Sequence, residues 1–332
     1  HSRADDRFER GKSIVKTIEL SEPFNPRMIP NSKVVLATGF FDGVHRGHQQ
    51  VIKAAAKQAE KLGCKLAVMT LDRHPAIVFQ HVPAKQVQYL TTLQRKLALF
   101  ADLGADYVYI LKMAGQLPHL RPQEFVDHYM VNLHAVAVVA GEDYTYGKHE
   151  IANMTNLPKF AKGRFEVLTV NQLQFEHKKI SSTAIRQLLD VGKIDLANQL
   201  LGYPYQNLGK VVHGEQRGRK LGFPTLNLQI DQQERILAEG IYAAKVAIDG
   251  QSYLGMASIG RNETFGSGRQ VTVEINLLNF SQMVYGKTVT VFWYHRLRDQ
   301  IKFNTAAELI QQLKEDQNQT RSYFDSLVKQ KF

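Results

Sequence analysis

Residues 39–48 read Gly-Phe-Phe-Asp-Gly-Val-His-Arg-Gly-His, a glycine-punctuated turn between an apolar run and a segment with helical periodicity. The apolar run, residues 33–38, is short and rich in β-branched side chains, which predicts a buried strand. After the turn, apolar residues recur at helical spacing to Leu62, and Gly63 follows where helices often end. A strand-turn-helix unit presents free backbone N–H groups and a positive dipole end. The turn is therefore predicted to bind a phosphate.

Two histidines lie three residues apart at the start of the predicted helix. His45 and His48 would point the same way into the anion site. An imidazole can donate a hydrogen bond or carry charge near neutral pH, which suits the charge that develops on a phosphate during transfer. The alternatives are surface histidines or a zinc site, although no third ligand lies nearby and the single Cys64 follows the helix.

The bulk composition bounds the class of protein. A chain of 332 residues with 44% apolar and 22% charged residues predicts an ordinary globular protein of two domains. No apolar stretch has membrane-spanning length, no signal-peptide pattern is visible, and one cysteine cannot form an intramolecular disulfide. We therefore expect a cytoplasmic location and no membrane partner.

The net charge of +11 raises the question of nucleic acid. The basic residues are scattered, and no nucleic-acid-binding module is recognisable. A positive surplus also steers small anionic substrates toward an enzyme. We expect small-molecule substrates and no nucleic-acid partner, and the sequence does not indicate an oligomeric state.

The first half of the chain alternates predicted strands with helices. Further apolar runs at 66–71, 108–111, 135–140 and 165–170 are separated by helical patterns that begin after Thr92 and at Pro122. Strands that are apolar on both faces indicate a parallel sheet covered on both sides.

Two more motifs follow strands of this half. Residues 141–147 read Gly-Glu-Asp-Tyr-Thr-Tyr-Gly at the carboxyl end of a predicted strand, where ligands bind in open α/β sheets. Their tyrosines are either core residues or support for a ring. Residues 180–186 read Ile-Ser-Ser-Thr-Ala-Ile-Arg, hydroxyls that can cap a helix and an arginine one turn in.

The second half has the sequence pattern of an antiparallel β-structure. Strand candidates at 210–213, 241–248, 253–259, 271–278 and 288–294 predict a small barrel, and a last helix is expected from Thr305 to Lys329. We place the domains at 1–187 and 188–332, with a helical connector at 188–205.

Residues 217–227 of this half read Arg-Gly-Arg-Lys-Leu-Gly-Phe-Pro-Thr-Leu-Asn. Glycines allow the backbone to approach phosphates, and an arginine can bind their oxygens. Thr225 and Asn227 lie two apart in an extended segment and can present oxygens to a hard cation such as Mg²⁺. The alternative is a turn fixed by Pro224. Glu274 is a single acid in an apolar run, most simply the solvent-facing residue of a strand.

Together these strings resemble the bacterial bifunctional riboflavin kinase/FAD synthetase family, from about residue 30 onward. Residues 39–48 resemble the ATP-binding signature of HxGH nucleotidyltransferases, and residues 222–227 resemble the riboflavin kinase Gly-Phe-Pro-Thr-x-Asn motif. The resemblance implies an N-terminal parallel-sheet nucleotidyltransferase domain and a C-terminal antiparallel riboflavin kinase barrel with a terminal helix. It implies ATP as co-substrate, Mg²⁺, and conversion of riboflavin to FMN and of FMN to FAD.

The resemblance also implies roles for residues of this sequence. His45, His48 and Glu274 would be catalytic, Tyr144 and Arg298 would bind flavin, and Thr225 and Asn227 would bind the metal. The residues that would bind nucleotide are Gly39, Phe40, Asp42, Gly43, Asp143, Ser181, Ser182, Thr183, Arg186, Gly218, Arg219 and Gly222. Arg73 and Glu263 each stand where the family usually has proline.

Two other functions remain open at the level of sequence. One is an FMN adenylyltransferase whose barrel binds flavin without phosphorylating it, which the departure at Glu263 suggests. The other is a flavin- or RNA-binding regulator without activity, which only the net charge suggests.

Overall fold

The computed structural model describes residues 15–214, 222–264 and 268–330. The chain divides into two compact units, the first ending at Ser182 and the second beginning at Thr183. The first unit is built on an open parallel sheet and the second on a closed antiparallel barrel. The predicted fold class, a parallel α/β domain followed by an antiparallel barrel with a terminal helix, is confirmed.

The first unit has a six-stranded parallel sheet in the order β1-β4-β3-β2-β5-β6. Its strands are β1 (Lys16–Leu20), β2 (Val34–Thr38), β3 (Lys65–Leu71), β4 (Tyr107–Leu111), β5 (Ala135–Gly141) and β6 (Glu166–Val170). The chain runs from β2 through β3 and β4 on one side and from β5 to β6 on the other. The neighbours β2 and β5 therefore form the topological switch point, the place where open α/β sheets bind ligands.

The helices of this unit cover both faces of the sheet. They are α1 (Arg46–Leu62), α2 (Ala76–Phe79), α3 (Leu93–Asp102), α4 (Pro122–Val126) and α5 (Leu157–Ala161). Helix α6 (Ser182–Asp190) begins at the last residue of this unit and belongs otherwise to the second. Alternate residues of β2 belong to two separate buried clusters, Val34 and Leu36 to one and Val35 and Ala37 to the other. The predicted burial of the sheet on both sides is confirmed.

Three local features of the first unit differ from the sequence-based expectations. The helix expected to begin at Pro122 is α-helical only to Val126 and continues as a π-helical turn over Asp127–Val131. Strand β1 was not predicted, because it lies at the sheet edge and buries only Ile18 and Leu20. A short hairpin, β7 (Gln174–Phe175) with β8 (Lys178–Lys179), also lies outside the predicted elements.

The second unit is a closed barrel in the order β10-β13-β12-β11-β14-β9. Its elements are α7 (Ile194–Leu201), β9 (Tyr205–Val212), β10 (Thr225–Ile230), β11 (Gly240–Ile248), β12 (Gln251–Thr264), β13 (Gly268–Leu277), β14 (Thr288–Arg298) and α8 (Ala306–Lys329). The predicted extended segment at Thr225–Asn227 is the start of β10, which pairs with both β9 and β13 and closes the barrel.

A buried polar chain ties the barrel wall to the loop after β10. The Trp293 indole N–H donates to Asn207 Oδ1 at 2.9 Å, and Asn207 Nδ2 donates to Glu234 Oε1 at 3.2 Å. Burial raises the pKa of Glu234. Because each group has a partner, the network fixes the loop without leaving an orphaned buried polar atom.

The terminal helix α8 is fastened to β14 by an ion pair. Arg298 Nε and Nη2 donate to the two carboxylate oxygens of Asp316 at 2.9 and 2.7 Å. The Asp316 side chain is 1% exposed and that of Arg298 is 16% exposed, so the pair is nearly removed from water. Removing one partner of a buried, bidentate ion pair strongly destabilises the folded state, because the other charge stays buried without compensation.

We expect Arg298→Ala to lower the free energy of unfolding by about 3 kcal/mol, because Asp316 would remain buried without its cation. Lys314→Ala, at an exposed position of the same helix, is the matched control and should change it by less than about 0.5 kcal/mol. Urea unfolding of both variants measures the difference. Equal stability of the two would show that the pair does not hold α8.

Candidate active site

A cavity of about 470 Å³ opens in the first unit at the carboxyl ends of β2 and β5. Its walls bring together three of the predicted motifs: the turn at residues 39–48, the segment 141–147 and the segment 180–182. These strings are far apart in sequence and meet because their strands are neighbours at the switch point.

The turn after β2 is held in a conformation that side chains rarely adopt. Phe41, Gly43 and Val44 have φ values of 59°, 92° and 40°. Asp42 Oδ1 accepts the N–H groups of Leu90 and Thr91 at 3.0 and 3.3 Å. The Gly43 N–H in turn donates to Thr91 Oγ1 at 2.9 Å. The loop before α3 therefore fixes the turn.

Asp42 has a structural task in this arrangement. Its side chain is buried, and its carboxylate binds backbone N–H groups. Its predicted contact with a nucleotide stays a prediction. Gly39 and Phe40 line the cavity, and their predicted contact with a nucleotide also stays a prediction.

His45 ends the turn and caps helix α1. Its Nδ1 accepts the N–H groups of Gly47 and His48 at 3.0 and 3.3 Å, so a neutral ring carries its proton on Nε2. Burial lowers the pKa of His45 to about 4. A Cβ on residue 47 would lie 2.9 Å from the His45 ring, which explains the glycine there. At neutral pH, His45 is a fixed hydrogen-bond donor.

His48 stacks on His45. The ring centroids are 3.5 Å apart and the planes are inclined by 18°. Burial, reinforced by the charges of His45 and Lys96, holds the pKa of His48 well below its usual value. His48 Nδ1 is buried without a hydrogen-bond partner, and the residue lines the cavity. Both predicted histidines thus lie side by side as neutral rings.

The second helix N-terminus at the cavity belongs to α6. Ser181 and Ser182 line the cavity, and the Ser182 hydroxyl donates to the Asp42 carbonyl at 2.7 Å. This bond joins two motifs that are 140 residues apart. Thr183 and Arg186 follow on the same helix, and their predicted contacts with phosphate stay predictions.

The segment after β5 supplies aromatic and acidic side chains. The Tyr144 hydroxyl accepts from Thr38 at 3.0 Å, and burial raises the pKa of Tyr144 to about 12. Tyr146 is buried in the core and donates to the Asn153 carbonyl. Asp143 is exposed and lies 3.7 Å from Lys179. Tyr144 and Asp143 line the cavity, which places them where a ligand can be contacted.

Part of the cavity wall is apolar and was missed by the sequence analysis. It consists of side chains near the ends of β3 and β4 and from the following segment: Met69, Leu71, Leu111, Met113, Leu117 and Phe125. These residues read in sequence as ordinary core positions. Their apolar surface is suited to a flat ring system.

Sequence reasoning also missed the polar groups behind the turn. Thr70 and Lys96 are buried, and both donate to the Phe40 carbonyl, at 2.8 and 2.9 Å. The sequence signal for these groups was the position of Lys96, which lies on the same apolar face of α3 as Leu93, Leu97 and Phe100.

In the second unit, four polar side chains share one face of neighbouring strands. Thr225 pairs with Asn276, and Asn227 pairs with Glu274, on strands β10 and β13. Thr225 Oγ1 lies 2.8 Å from Asn276 Oδ1, and Glu274 is exposed. The intervening residues are buried, so the pattern separates a polar face from an apolar one. The structure places Thr225, Asn227 and Glu274 on one face together with Asn276, and their predicted roles stay predictions.

The remaining predicted residues of this unit have other surroundings. Gly222 has a φ of 86°, a backbone conformation that glycine adopts readily. Gly218 and Arg219 lie outside the described residues. Arg298 is engaged with Asp316 and with the Asp299 carbonyl, so its predicted contact with flavin stays a prediction.

The buried histidine makes the folded state sensitive to acid. The unfolded chain binds a proton on His45 below about pH 6.5, whereas the folded chain does so only near pH 4, because burial lowers the pKa. Stability is therefore lost as the pH falls from 6.5 to 4, by on the order of 3 kcal/mol for this residue. His45→Asn keeps an N-cap acceptor and should flatten this dependence. Urea unfolding at pH 7 and pH 4.5 measures the change in the free energy of unfolding between the two pH values. The same change in His45→Asn as in the wild type would contradict the assignment to His45.

Comparisons with known proteins agree with the two units. A family model described as FAD synthetase matches residues 28–184, and one described as riboflavin kinase matches residues 201–324. Among the described residues, no helix is both long and apolar enough to cross a membrane.

Relatives match over nearly their full length. A bifunctional riboflavin kinase/FMN adenylyltransferase from Listeria monocytogenes is 44% identical, over 94% of this chain and 99% of its own. One of the same name from Bacillus subtilis is 38% identical, over 95% and 100%. A crystal structure described as a macrolide-efflux protein from Streptococcus pneumoniae is 35% identical with a TM-score of 0.85, over 92% of this chain and 99% of that one. The chain therefore belongs to the family of bifunctional riboflavin kinases/FMN adenylyltransferases.

Proposed function

We propose that the cavity of the first unit transfers AMP from ATP to FMN, and that the polar face of the barrel phosphorylates riboflavin. The two activities, riboflavin kinase and FMN adenylyltransferase, are those of the family, and ATP, riboflavin and FMN are their substrates. The residue roles rest on one observation above all: a stacked, neutral histidine pair and two helix N-termini face the same cavity at the switch point.

Adenylyl transfer in this cavity is a direct displacement. A phosphate oxygen of FMN attacks the α-phosphorus of ATP, the bond from that phosphorus to the bridging oxygen breaks, and pyrophosphate leaves. Such a step needs in-line positioning and charge stabilisation without a covalent enzyme intermediate. His45 Nε2–H would donate to the phosphate under attack, and His48 would add a second donor beside it. Their neutral state avoids locking the substrate into a tight ion pair.

The helix N-termini would hold the departing group. The N-termini of α1 and α6 would contribute the positive ends of their helix dipoles, and Ser181 and Ser182 would add hydroxyls. Arg186 would bind the β- and γ-phosphates through paired donors. The apolar wall with Leu111, Met113 and Phe125 would take the isoalloxazine ring of FMN, and Tyr144 lines the same cavity.

The kinase reaction would use Glu274 as general base. Its exposed carboxylate can accept the proton of the terminal ribityl hydroxyl as that oxygen attacks the γ-phosphorus of ATP, whereupon ADP leaves. Base assistance of this kind contributes roughly 10²- to 10⁴-fold. Gly218, Arg219 and Gly222 would cradle the phosphates of ATP.

The donor atoms beside Glu274 fit a magnesium ion. Thr225 Oγ1, Asn276 Oδ1 and the Asn227 side-chain carbonyl are hard oxygen donors on one face. Mg²⁺ is usually bound by few protein ligands and shares the phosphates of its substrate, so a cluster of acids is not required. Thr225 and Asn227 would hold the ion, which when bound would neutralise phosphate charge.

We expect the two reactions to be separable by single substitutions. His48→Ala removes a donor in the first unit, so the variant should convert riboflavin to FMN and stop there. Glu274→Gln removes the base, so it should fail on riboflavin but still adenylate supplied FMN. Each loss should be about 2–4 kcal/mol in kcat, measured by chromatography of the products.

Each variant serves as the control for the other, since each should retain one full activity. Loss of both reactions from one substitution, in a protein that still melts normally, would rule out the assignment of two separate sites. Production of FAD from FMN without any FMN from riboflavin in the wild type would instead indicate a barrel that only binds flavin.

Metal dependence follows from the oxygen donors on the barrel face. We expect kinase and adenylyltransferase activity to be lost in excess EDTA and restored by Mg²⁺. Thr225→Ala should lower kinase kcat by at least tenfold with little change in Tm, because this half-buried side chain contributes little packing. Full kinase turnover in chelator would refute the magnesium assignment, and a parallel loss of Tm and activity would make Thr225 structural.

A further inference from the structure

A lysine ammonium is buried directly behind the catalytic turn. Lys96 on α3 is 3% exposed, and its Nζ donates to the Phe40 carbonyl at 2.9 Å and to Thr70 Oγ1 at 3.1 Å. The same Nζ lies 4.3 Å from the centroid of the Phe40 ring. Among the buried residues of the described ranges it is the only lysine.

The packing of the turn alone does not require this charge. The Thr70 hydroxyl already donates to the Phe40 carbonyl at 2.8 Å, so that acceptor keeps a partner without Lys96. Removing an ammonium from water is costly, and an apolar side chain at this position of the α3 stripe would avoid the cost. A purely structural role therefore leaves the charge unexplained.

We propose that Lys96 is a positioning residue for adenylyl transfer: its ammonium is a second donor to the Phe40 carbonyl, and its charge acts on the phosphate site from behind the turn. Phe40 and Thr70, its two hydrogen-bond partners, both line the cavity. A fixed cation in a water-poor setting acts more strongly on developing phosphate charge than it would in water. The inference rests on the proposed function of the cavity.

The charge also acts on the histidine pair. Lys96 is one of the groups that hold the pKa of His48 below its usual value, so it helps to keep that ring neutral. Other titratable groups around Lys96 are Asp42 in the turn, Asp72 with its partner Arg73 after β3, and His45 beside His48. Burial lowers the pKa of Lys96 to about 8, against the opposing effect of the two aspartates.

The first test replaces the charge and keeps the volume. We expect Lys96→Met to lower kcat for FAD formation from FMN roughly 10- to 100-fold, while riboflavin phosphorylation by the same protein is unchanged. Lys53→Met, at an exposed position of α1, makes the same charge change and should leave both rates unaltered. Wild-type kcat in Lys96→Met, with only a lower Tm, would overturn the proposal.

The second test uses the pH profile, which a merely structural lysine would not shape. Because Lys96 loses its proton near pH 8, the wild-type adenylylation kcat should fall as the pH rises through that range. Lys96→Arg keeps its charge to higher pH, so the decrease in kcat should occur at higher pH in this variant. Lys96→Met has no such charge and should not show the decrease. If Lys96→Met does not fold, the pH profile of Lys96→Arg alone tests the proposal. An adenylylation profile of Lys96→Arg that coincides with that of the wild type would overturn it. Absence of FAD formation by the wild type would instead refute the function proposed for the cavity.

Discussion

The site of the first unit depends on a buried turn that the chain would not adopt by itself. Residues 41, 43 and 44 all have positive φ, and two of them are not glycine. The strain is opposed by the Asp42 carboxylate, which binds the backbone before α3, and by the Thr91 hydroxyl, which binds the Gly43 N–H. Because the turn leads into α1, the same bonds set where the helix begins and where its N–H groups point.

The electrostatics of the cavity follow from that burial. A histidine in water would be partly protonated near neutrality, but here desolvation keeps both rings neutral. Positive potential comes instead from helix N-termini and from a lysine behind the turn, none of which must give up a proton to act. In the proposed reaction, the groups that would donate hydrogen bonds to a phosphate are therefore separate from the charge that would attract it.

The sequence allowed most of the architecture to be predicted, because periodicity reports burial. Helix α7 lies within the helical connector predicted at 188–205, and Thr92 and Thr305 are the N-caps of α3 and α8. Strand β1 was missed, and β10 was predicted only as an extended segment at its start, for the same physical reason. Each alternates polar and apolar residues over a short stretch, so neither presents the continuous apolar run of a central strand.

Side-chain roles were harder to predict, because partners far apart in sequence decide them. Asp42 lies within a stretch predicted to bind phosphate, yet its carboxylate binds a loop 48 residues away. Arg298 lies near an expected flavin loop, yet it pairs with Asp316 on the last helix. Lys96 occupies a core position of an amphipathic helix, where a pattern of apolar spacing has no place for a charge. A lysine on such a stripe has to find a buried acceptor, and here the acceptors belong to the turn and to the strand beside it. The misfit between residue type and position is therefore itself a signal of a functional site, although only the tertiary structure shows which site it serves.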